Sequence, residues 1–291
     1  MNRLFVDNLT VIDFSFLDSK RGVVGESWIV DIELEGELDD QGMVFDFGNV
    51  KKSLKNQIDE LADHKLIVAS GMPGLVIERS NNRVDIGYHN QQGEKWIHRS
   101  HADAVLPIDC EQVTPEAVSG YLVEQFENIL PTNVDGVSVA LRTEPISGAY
   151  YHYSHGLKKH RGNCQRIAHG HRSKIEIYVN NQRDEQLEKE WANRLQDSYI
   201  GTREDIHQEP TANSRPDNDS KTNNNLTFSY TSDQGYFEIS LPQRCIYLID
   251  TDSTVEWIAT HIANEVKNHL PHCDIQVKAF EGVGKGAIAE R

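Results

Sequence analysis

The feature that most constrains the fold is an internal repetition with a period near 140 residues in a chain of 291. Thr114 lies 140 residues before Thr254, and Glu144 lies 137 residues before Glu281. In each half, an alternating apolar segment comes early, the threonine begins a helical pattern, and the glutamate follows a strand-like segment. Self-similarity at a fixed period indicates a duplicated unit. We therefore expect two similar structural repeats.

Apolar periodicity places the elements within each repeat. Strict alternation over residues 28–34 and 175–179 predicts half-buried antiparallel strands, and short apolar runs between residues 66 and 108 predict hairpins. Helical spacing and capping residues predict helices over residues 50–61, from 114, over 185–195 and from 253. The fold class is therefore α+β, with repeats 1–146 and 147–291 that each hold four antiparallel strands and two helices. A polar, Asn-rich stretch at about 207–225 is interpreted as a surface insertion.

Composition excludes several classes of partner. The 29 basic and 45 acidic side chains give a net charge of −16, which disfavours binding to nucleic acid. No apolar run reaches the length of a membrane span, and the N-terminus lacks the pattern of a signal peptide. Four scattered cysteines without paired spacing indicate free thiols in a reducing cytoplasm. We expect a cytoplasmic protein that binds neither nucleic acid nor a membrane.

The densest chemical signal is a set of three histidines in the second half. His169 and His171 are two residues apart, so on a strand they point to the same side, and antiparallel pairing would bring His155 opposite them. Three neutral imidazoles leave one tetrahedral position open, which is typical of catalytic zinc. Surface histidines are the alternative interpretation. The neighbouring His152 and His160 are predicted to face solvent.

Other candidate residues lie near helix and strand ends. Cys164 comes five residues before His169 and could act as a base or nucleophile beside a cation; a small buried side chain is the alternative. The Asp63-His64 pair ends the first helix, where a polar helix terminus is the alternative interpretation. Glu144 and Glu281 follow the last strand of each repeat and could bind a guanidine-like ring edge or simply be solvated.

Together these residues resemble the 6-pyruvoyl- and 6-carboxytetrahydropterin synthase family, which has the tunnelling fold (T-fold) with both helices on one face of the sheet. Its pattern is a histidine after an aromatic strand, a cysteine shortly before His-Gly-His, a Gly-Met-Val-x-Asp-Phe segment, an Asp-His pair, a threonine-initiated helix and a final glutamate. The matching segments are 151–155, Cys164, 169–171, 42–47, 63–64, 114–116, 254–256, Glu144 and Glu281.

The family residues are divided between the two repeats. The second repeat has the zinc ligands and Cys164 but lacks Asp-His; in the first, Val24 and Glu26 stand at the positions of His169 and His171. Because sites of this family lie at subunit interfaces, the resemblance implies a composite site. In that site, Zn²⁺ would be bound by His155, His169 and His171. The catalytic residues would be Asp63, His64 and Cys164, and the pterin would be bound by Glu281 or Glu144. It also implies a homo-oligomeric ring of tandem chains. Whether the site forms within or between chains stays open.

The resemblance implies a zinc-dependent lyase acting on 7,8-dihydroneopterin triphosphate. The short spacing from Cys164 to His-Gly-His favours the 6-carboxy product, which is formed by releasing acetaldehyde and triphosphate on the route to queuosine. Four residues intervene here, where three are usual in that branch. Two alternatives remain: the 6-pyruvoyl product, formed by triphosphate elimination, and a zinc- or pterin-binding scaffold without turnover.

Overall fold

The computed structural model describes residues 2–126, 129–207 and 224–291. The insertion predicted at about 207–225 lies almost wholly outside the described residues. Two sheets, one for each half of the chain, carry two helices each, and a third sheet combines strands from both halves.

The elements of the first half are β1 (Asn2–Asp18), β2 (Gly22–Gly36), α1 (Phe47–Leu61), β3 (Leu66–Ala69), β4 (Leu75–Ser80), β5 (Arg83–His89), β6 (Lys95–His101), β7 (Val105–Ile108), α2 (Pro115–Phe126) and β8 (Val134–Arg142). Five of these strands form one sheet in the order β7-β3-β1-β2-β8, and β4, β5 and β6 belong to the third sheet. Val24 and the alternate residues of β2 from Trp28 to Leu34 pack with Leu54 of α1 and Leu122 of α2 in one core. Both helices therefore cover the same face of the sheet.

The elements of the second half are β9 (Tyr150–His155), β10 (His169–Val179), β11 (Gln182–Arg183), α3 (Glu185–Leu195), β12 (Ser198–Thr202), β13 (Asn225–Ser232), β14 (Gly235–Pro242), β15 (Ile246–Ile249), α4 (Val255–His269), β16 (Ile275–Phe280) and β17 (Gly286–Glu290). Seven of these strands form one sheet in the order β15-β12-β9-β10-β16-β17, with β11 paired to β10, and β13 and β14 belong to the third sheet. Helix α3 begins after Asp184, whose carboxylate accepts two backbone N–H groups, and α4 begins after Thr254. Trp191 and Ile258 from these helices share one core with Ile177 of β10.

The expectation of four antiparallel strands per repeat is wrong in number and in direction. Strand β3 runs parallel to β1 and β7, and β12 runs parallel to β9 and β15. Each of these short, fully buried strands follows a helix, α1 or α3, that crosses the sheet, and such a crossover returns the chain in the parallel direction.

The third sheet has the order β13-β14-β6-β5-β4 and joins a hairpin of the second half to a meander of the first. The meander accounts for the hairpins predicted between residues 66 and 108. Phe228 and Tyr230 of β13 pack with Ile167 in a shared core, and the Tyr230 hydroxyl donates to the carbonyl of Gln165. This sheet therefore supports the loop between β9 and β10.

The two repeats meet along a tight seam at β2 and β10. The hydroxyls of Ser15 and Ser154 are 2.8 Å apart, and these residues pair with Gly25 and Gly170 in their own sheets. A Cβ on Gly25 would lie 1.8 Å from the carbonyl oxygen of Tyr153, so glycine is required for this approach.

Among the described residues, none of the helices has the length and apolarity needed to span a membrane.

Candidate active site

Three buried imidazoles converge at the end of β9 and β10. His155 pairs with His169 in the antiparallel register, and His171 lies two residues along the same strand. Each is at most 1% exposed, and one ring nitrogen from each lies within 4.8 Å of the others. The Nε2 atoms of His155 and His171 are only 3.2 Å apart.

The other nitrogen of each ring, Nδ1, faces an oxygen acceptor. The carbonyls of Ser253 and Arg166 accept from His155 and His169, each at 2.8 Å. The Asp13 carboxylate lies 3.1 Å from Nδ1 of His171, at ion-pair distance but without hydrogen-bond geometry. Such acceptors fix the tautomer that leaves Nε2 free to bind a metal. Burial holds the pKa values of His155 and His169 well below their ordinary range, which keeps the ligand forms neutral. This donor set fits Zn²⁺ with one open position.

The Asp63-His64 pair from the first repeat reaches this cluster within the same chain. His64 follows α1 in the left-handed region, with φ of 55°, a conformation uncommon for a residue with a Cβ. Two hydrogen bonds to β1 hold the corner: His64 N–H donates to the Asp13 carbonyl, and Asp13 N–H donates to the Asp63 carboxylate. The His64 ring centroid consequently lies 4.9 Å from that of His169.

The electrostatics of His64 favour its protonated form. Its Nδ1 lies 2.7 Å from the Asp63 carboxylate. Burial alone lowers the pKa of His64, but the hydrogen bonds to Asp63 and Cys164 outweigh it and raise the pKa to about 10. An imidazole oriented by a carboxylate is a common arrangement for an acid or base.

Cys164 lies in the β9–β10 loop and is partly exposed. Its sulfur forms a second group with His64 and His169, with one donor atom of each within 4.8 Å of the others. The loop is fixed by the Leu157 N–H, which donates to the Cys164 carbonyl. The thiol therefore stands between the histidine cluster and the Asp63-His64 pair.

Of the two candidate glutamates, only Glu281 contacts this cluster among the described residues. Its carboxylate lies 3.8 Å from Nε2 of His171. Glu144 instead lies 3.7 Å from the ammonium of Lys174, and its carbonyl accepts from Arg172.

Asp13 is a site residue that the sequence motifs do not indicate. Its carboxylate, 2% exposed, contacts His171, the Ser27 hydroxyl and the Lys285 ammonium. Burial opposes ionisation, but the contacts with His171, Lys285 and the Ser27 hydroxyl hold the pKa of Asp13 well below its usual range. An aspartate within the apolar segment of β1 was the available signal, because an ionised side chain rarely faces a core without a partner.

The prediction that His152 faces solvent is also wrong, since it is 8% exposed. Strand β9 packs against β2, and Nδ1 of His152 lies 2.8 Å from the carbonyl oxygen of Gly25. His160 is exposed, as expected.

The equivalent positions of the first repeat cannot hold a metal. Because Ser15–Gly25 and Ser154–Gly170 are matching pairs, Phe16, Val24 and Glu26 stand where the second repeat has His155, His169 and His171. Asp197 shares the position and the φ of 55° that His64 has. It forms a two-point ion pair with Arg21. Among the described residues, this asymmetry leaves a candidate metal centre in the second repeat and none at the matching position of the first.

Fold and site thus define a tandem α+β protein with a composite histidine centre. Residues 18–152 and 146–291 each match the family model described as 6-pyruvoyl tetrahydropterin synthase. The chain therefore belongs to the 6-pyruvoyl tetrahydropterin synthase family, as the sequence motifs indicate.

The chain is also similar to individual proteins. A Pyrococcus horikoshii protein, provisionally named 6-carboxy-5,6,7,8-tetrahydropterin synthase, is 25% identical over 147 residues, covering 49% of this chain and 82% of that protein. A Pyrococcus abyssi protein of the same name is 24% identical over 143 residues, with the same coverage. The 6-pyruvoyl tetrahydropterin synthase structure from Plasmodium vivax has 20% identity and a TM-score of 0.40, covering 50% of this chain and 93% of its own. The Plasmodium falciparum structure has 14% identity and a TM-score of 0.39, covering 48% and 90%.

Proposed function

We propose that the chain is a zinc-dependent lyase of the 6-carboxy-5,6,7,8-tetrahydropterin synthase type that acts on 7,8-dihydroneopterin triphosphate. The observation that carries the proposal is the meeting of His64, Cys164 and His169 within one chain. The residues come from both repeats, which we assign to 1–146 and 147–291. A scaffold without turnover would not require a thiol and a carboxylate-oriented imidazole beside three converging ring nitrogens.

The chain's own residues account for binding and proton transfer. Zn²⁺ held by His155, His169 and His171 would polarise the side-chain oxygens of the substrate and acidify the adjacent C–H. Cys164 would accept a proton as the thiolate, and His64, protonated and oriented by Asp63, would donate one. Glu281 would anchor the pterin through N3–H and the 2-amino group.

Product analysis tests the proposed reaction. Zinc-loaded protein and 7,8-dihydroneopterin triphosphate should yield 6-carboxytetrahydropterin, acetaldehyde and triphosphate. A 6-pyruvoyl product without acetaldehyde would assign the chain to triphosphate elimination, which the family name also fits. No product at saturating zinc would favour the scaffold.

The role of Cys164 can be tested by substitution. We expect Cys164→Ala to lower kcat by at least about 100-fold, because proton transfer by a positioned group contributes at least that factor. Zinc content should stay at one ion per chain, since three imidazoles remain. The control is His160→Asn on the same loop, whose exposed side chain should leave kcat unchanged. Full activity of Cys164→Ala would remove the thiol from the mechanism.

We further propose that tandem chains assemble into a cytoplasmic ring through β8 and β17. Both strands lie at sheet edges, and Ile288 of β17 is 60% exposed. Unpaired edge strands favour pairing with another chain. Native mass spectrometry should give an oligomer, and a monomer at micromolar concentration would exclude the ring.

A further inference from the structure

A polar cleft of about 610 Å³ lies next to the Asp63-His64 corner, on the side of Arg166. Its lining includes Lys65, Asn163 and His101. Lys65 follows His64 directly, and Asn163 precedes Cys164. The two segments that carry the candidate acid and the thiol therefore also form the walls of this cleft.

Arg166 is a buried cation without a counter-ion among the described residues. The residue is 7% exposed, and its Nε atom has no hydrogen-bond partner. The guanidinium makes only long contacts, of 3.4 and 3.5 Å, from Nη1 to the carbonyls of Asp63 and His64. A guanidinium offers five N–H donors, and leaving a buried charge unpaired is costly. Arg166 is one of the residues that line the cleft.

Lys65 places a second cation beside the first. In the described part of the chain, its ammonium has no ion pair. Burial and repulsion by Arg166 lower the pKa of Lys65. Like charges held together in a partly buried site destabilise the fold unless an anion lies between them.

Asp103 attracts both cations, and Glu60 and Asp63 each attract one of them, but in the described part of the chain no carboxylate lies within ion-pair distance of Arg166 or Lys65. Glu60, Asp103 and Asp233 also line it, but all three are exposed, and the Asp103 side chain is 72% exposed. Solvent screens carboxylates at the rim much more strongly than it screens the interior cations.

We propose that Arg166 and Lys65 form a subsite for an oligophosphate. Identifying this anion with the triphosphate of the substrate rests on the proposed function; the cation pair itself does not. Arg166 recognises phosphate oxygens through its planar fork, and Lys65 adds a point charge. A substrate bound here by its anionic end has its other end beside the acid–base pair.

The first test measures binding without catalysis. Calorimetric titration of the zinc-loaded protein with inorganic tripolyphosphate should show binding that Arg166→Gln weakens by at least about 10-fold, because the variant loses charge-assisted hydrogen bonds to the phosphate oxygens. Lys65→Gln should weaken it by a smaller factor, and Asp103→Asn should strengthen it by removing a like charge. The control is Lys189→Gln on α3, a side chain 62% exposed, which should bind as the wild type does. Absence of binding to the wild type, or equal binding by all variants, would overturn the subsite.

The second test identifies the source of the anion. If it is the substrate tail, Arg166→Gln and Lys65→Gln raise KM for 7,8-dihydroneopterin triphosphate by at least about 10-fold, change kcat less, and leave binding of 7,8-dihydroneopterin unchanged. Arg166→Lys should recover part of the loss, which a purely structural role would not predict. Tripolyphosphate binding that depends on Arg166 in a protein without pterin turnover would support the subsite and refute the proposed function. Turnover with an unchanged KM in both Gln variants would refute the subsite alone.

Discussion

At the scale of single residues, Asp13 connects the two repeats chemically. It belongs to β1 of the first repeat, yet its carboxylate faces Nδ1 of His171 in the second. The same residue holds the Asp63-His64 corner through its backbone N–H and carbonyl. One side chain thus orients a candidate metal ligand while its backbone orients the candidate acid.

Replacing Asp13 should weaken metal binding. We expect Asp13→Asn to lower zinc affinity by about 10- to 100-fold, the usual effect of removing an acceptor behind a ligand histidine. Competition with a chromogenic chelator measures this affinity directly. Asp135→Asn, an exposed residue on β8, is the control. An unchanged affinity in Asp13→Asn would show that His171 does not depend on this carboxylate.

Glu26 and His152 give a pH dependence with two opposing parts. They are buried together, 3.8 Å apart, with Arg21 and Arg172 nearby. Burial raises the pKa of Glu26 from 4.5 to about 7 and lowers that of His152 from 6.5 to about 4. The protonated carboxyl stabilises the fold below pH 4.5, and that contribution is lost as the pH rises through 7. The neutral imidazole stabilises the fold above pH 6.5, and its contribution is lost as the pH falls through 4. Each contribution is about 3 kcal/mol.

The two variants should therefore deviate from the wild type in opposite directions. Relative to the wild type, Glu26→Gln should gain about 3 kcal/mol as the pH rises from 4.5 to 7, and His152→Gln should gain about as much as the pH falls from 6.5 to 4. Urea unfolding with a chelator present, across this range, measures both differences. Parallel curves for all three proteins would contradict the assignment.

At the scale of elements, the turn between β16 and β17 is shaped around Asp13. Gly282 has φ of 70°, and a Cβ there would lie 2.3 Å from the Asp13 carboxylate. Its N–H donates to the Ser173 hydroxyl. The turn also carries Glu281 and Lys285, so two side chains reach the site because a glycine allows the backbone to come this close.

Gly284 provides a matched control for this turn. It has nearly the same φ, 69°, but a Cβ added there would meet nothing within 4 Å. Alanine at either site should cost about 1 kcal/mol of backbone strain, whereas Gly282→Ala should in addition displace Asp13 and lower zinc affinity by at least about 10-fold. Thermal unfolding and chelator competition on both variants give the comparison. Equal zinc affinities would mean that the approach to Asp13 does not matter.

At the scale of the whole molecule, the seam makes the two repeats one unit. Gly25 and Gly170 allow β2 and β10 to approach at backbone distance, while the Arg21–Asp197 pair joins the repeats at the position that lacks a metal centre. The two equivalent positions at the seam therefore differ, because one carries the candidate active site and the other carries an ion pair.

Opening the seam should affect stability and the metal centre together. A Cβ on Gly25 would overlap the Tyr153 carbonyl and lie 2.6 Å from the backbone nitrogen of His171, so we expect Gly25→Ala to cost at least about 3 kcal/mol and to lower zinc content. Gly87→Ala on β5, where a Cβ meets nothing within 4 Å, should change stability by no more than about 1 kcal/mol. Unfolding curves and zinc analysis measure both effects. Equal losses of stability and equal zinc contents in the two variants would show that the seam tolerates separation.

Local patterns are sufficient for much of the fold. The alternation over 28–34 and 175–179, the helix over 185–195 and the threonine before α4 all lie where the periodicity predicts them, because strand alternation and capping depend on neighbours in sequence. The parallel direction of strands β3 and β12 is not predicted, since four or five buried apolar residues do not specify the direction of their partner.

The sequence by itself determined the family, the duplication and the chemical types available at the site, because motifs and period are properties of residue order. Only the tertiary structure decided that Asp63 and His64 reach the three histidines within one chain, that Asp13 supports His171, and that Arg166 is left without a counter-ion among the described residues. Those relations depend on how two sheets pack across the seam. Residues as far apart in the sequence as Asp13 and Lys285 are in contact there, and local spacing in the sequence does not predict such a contact.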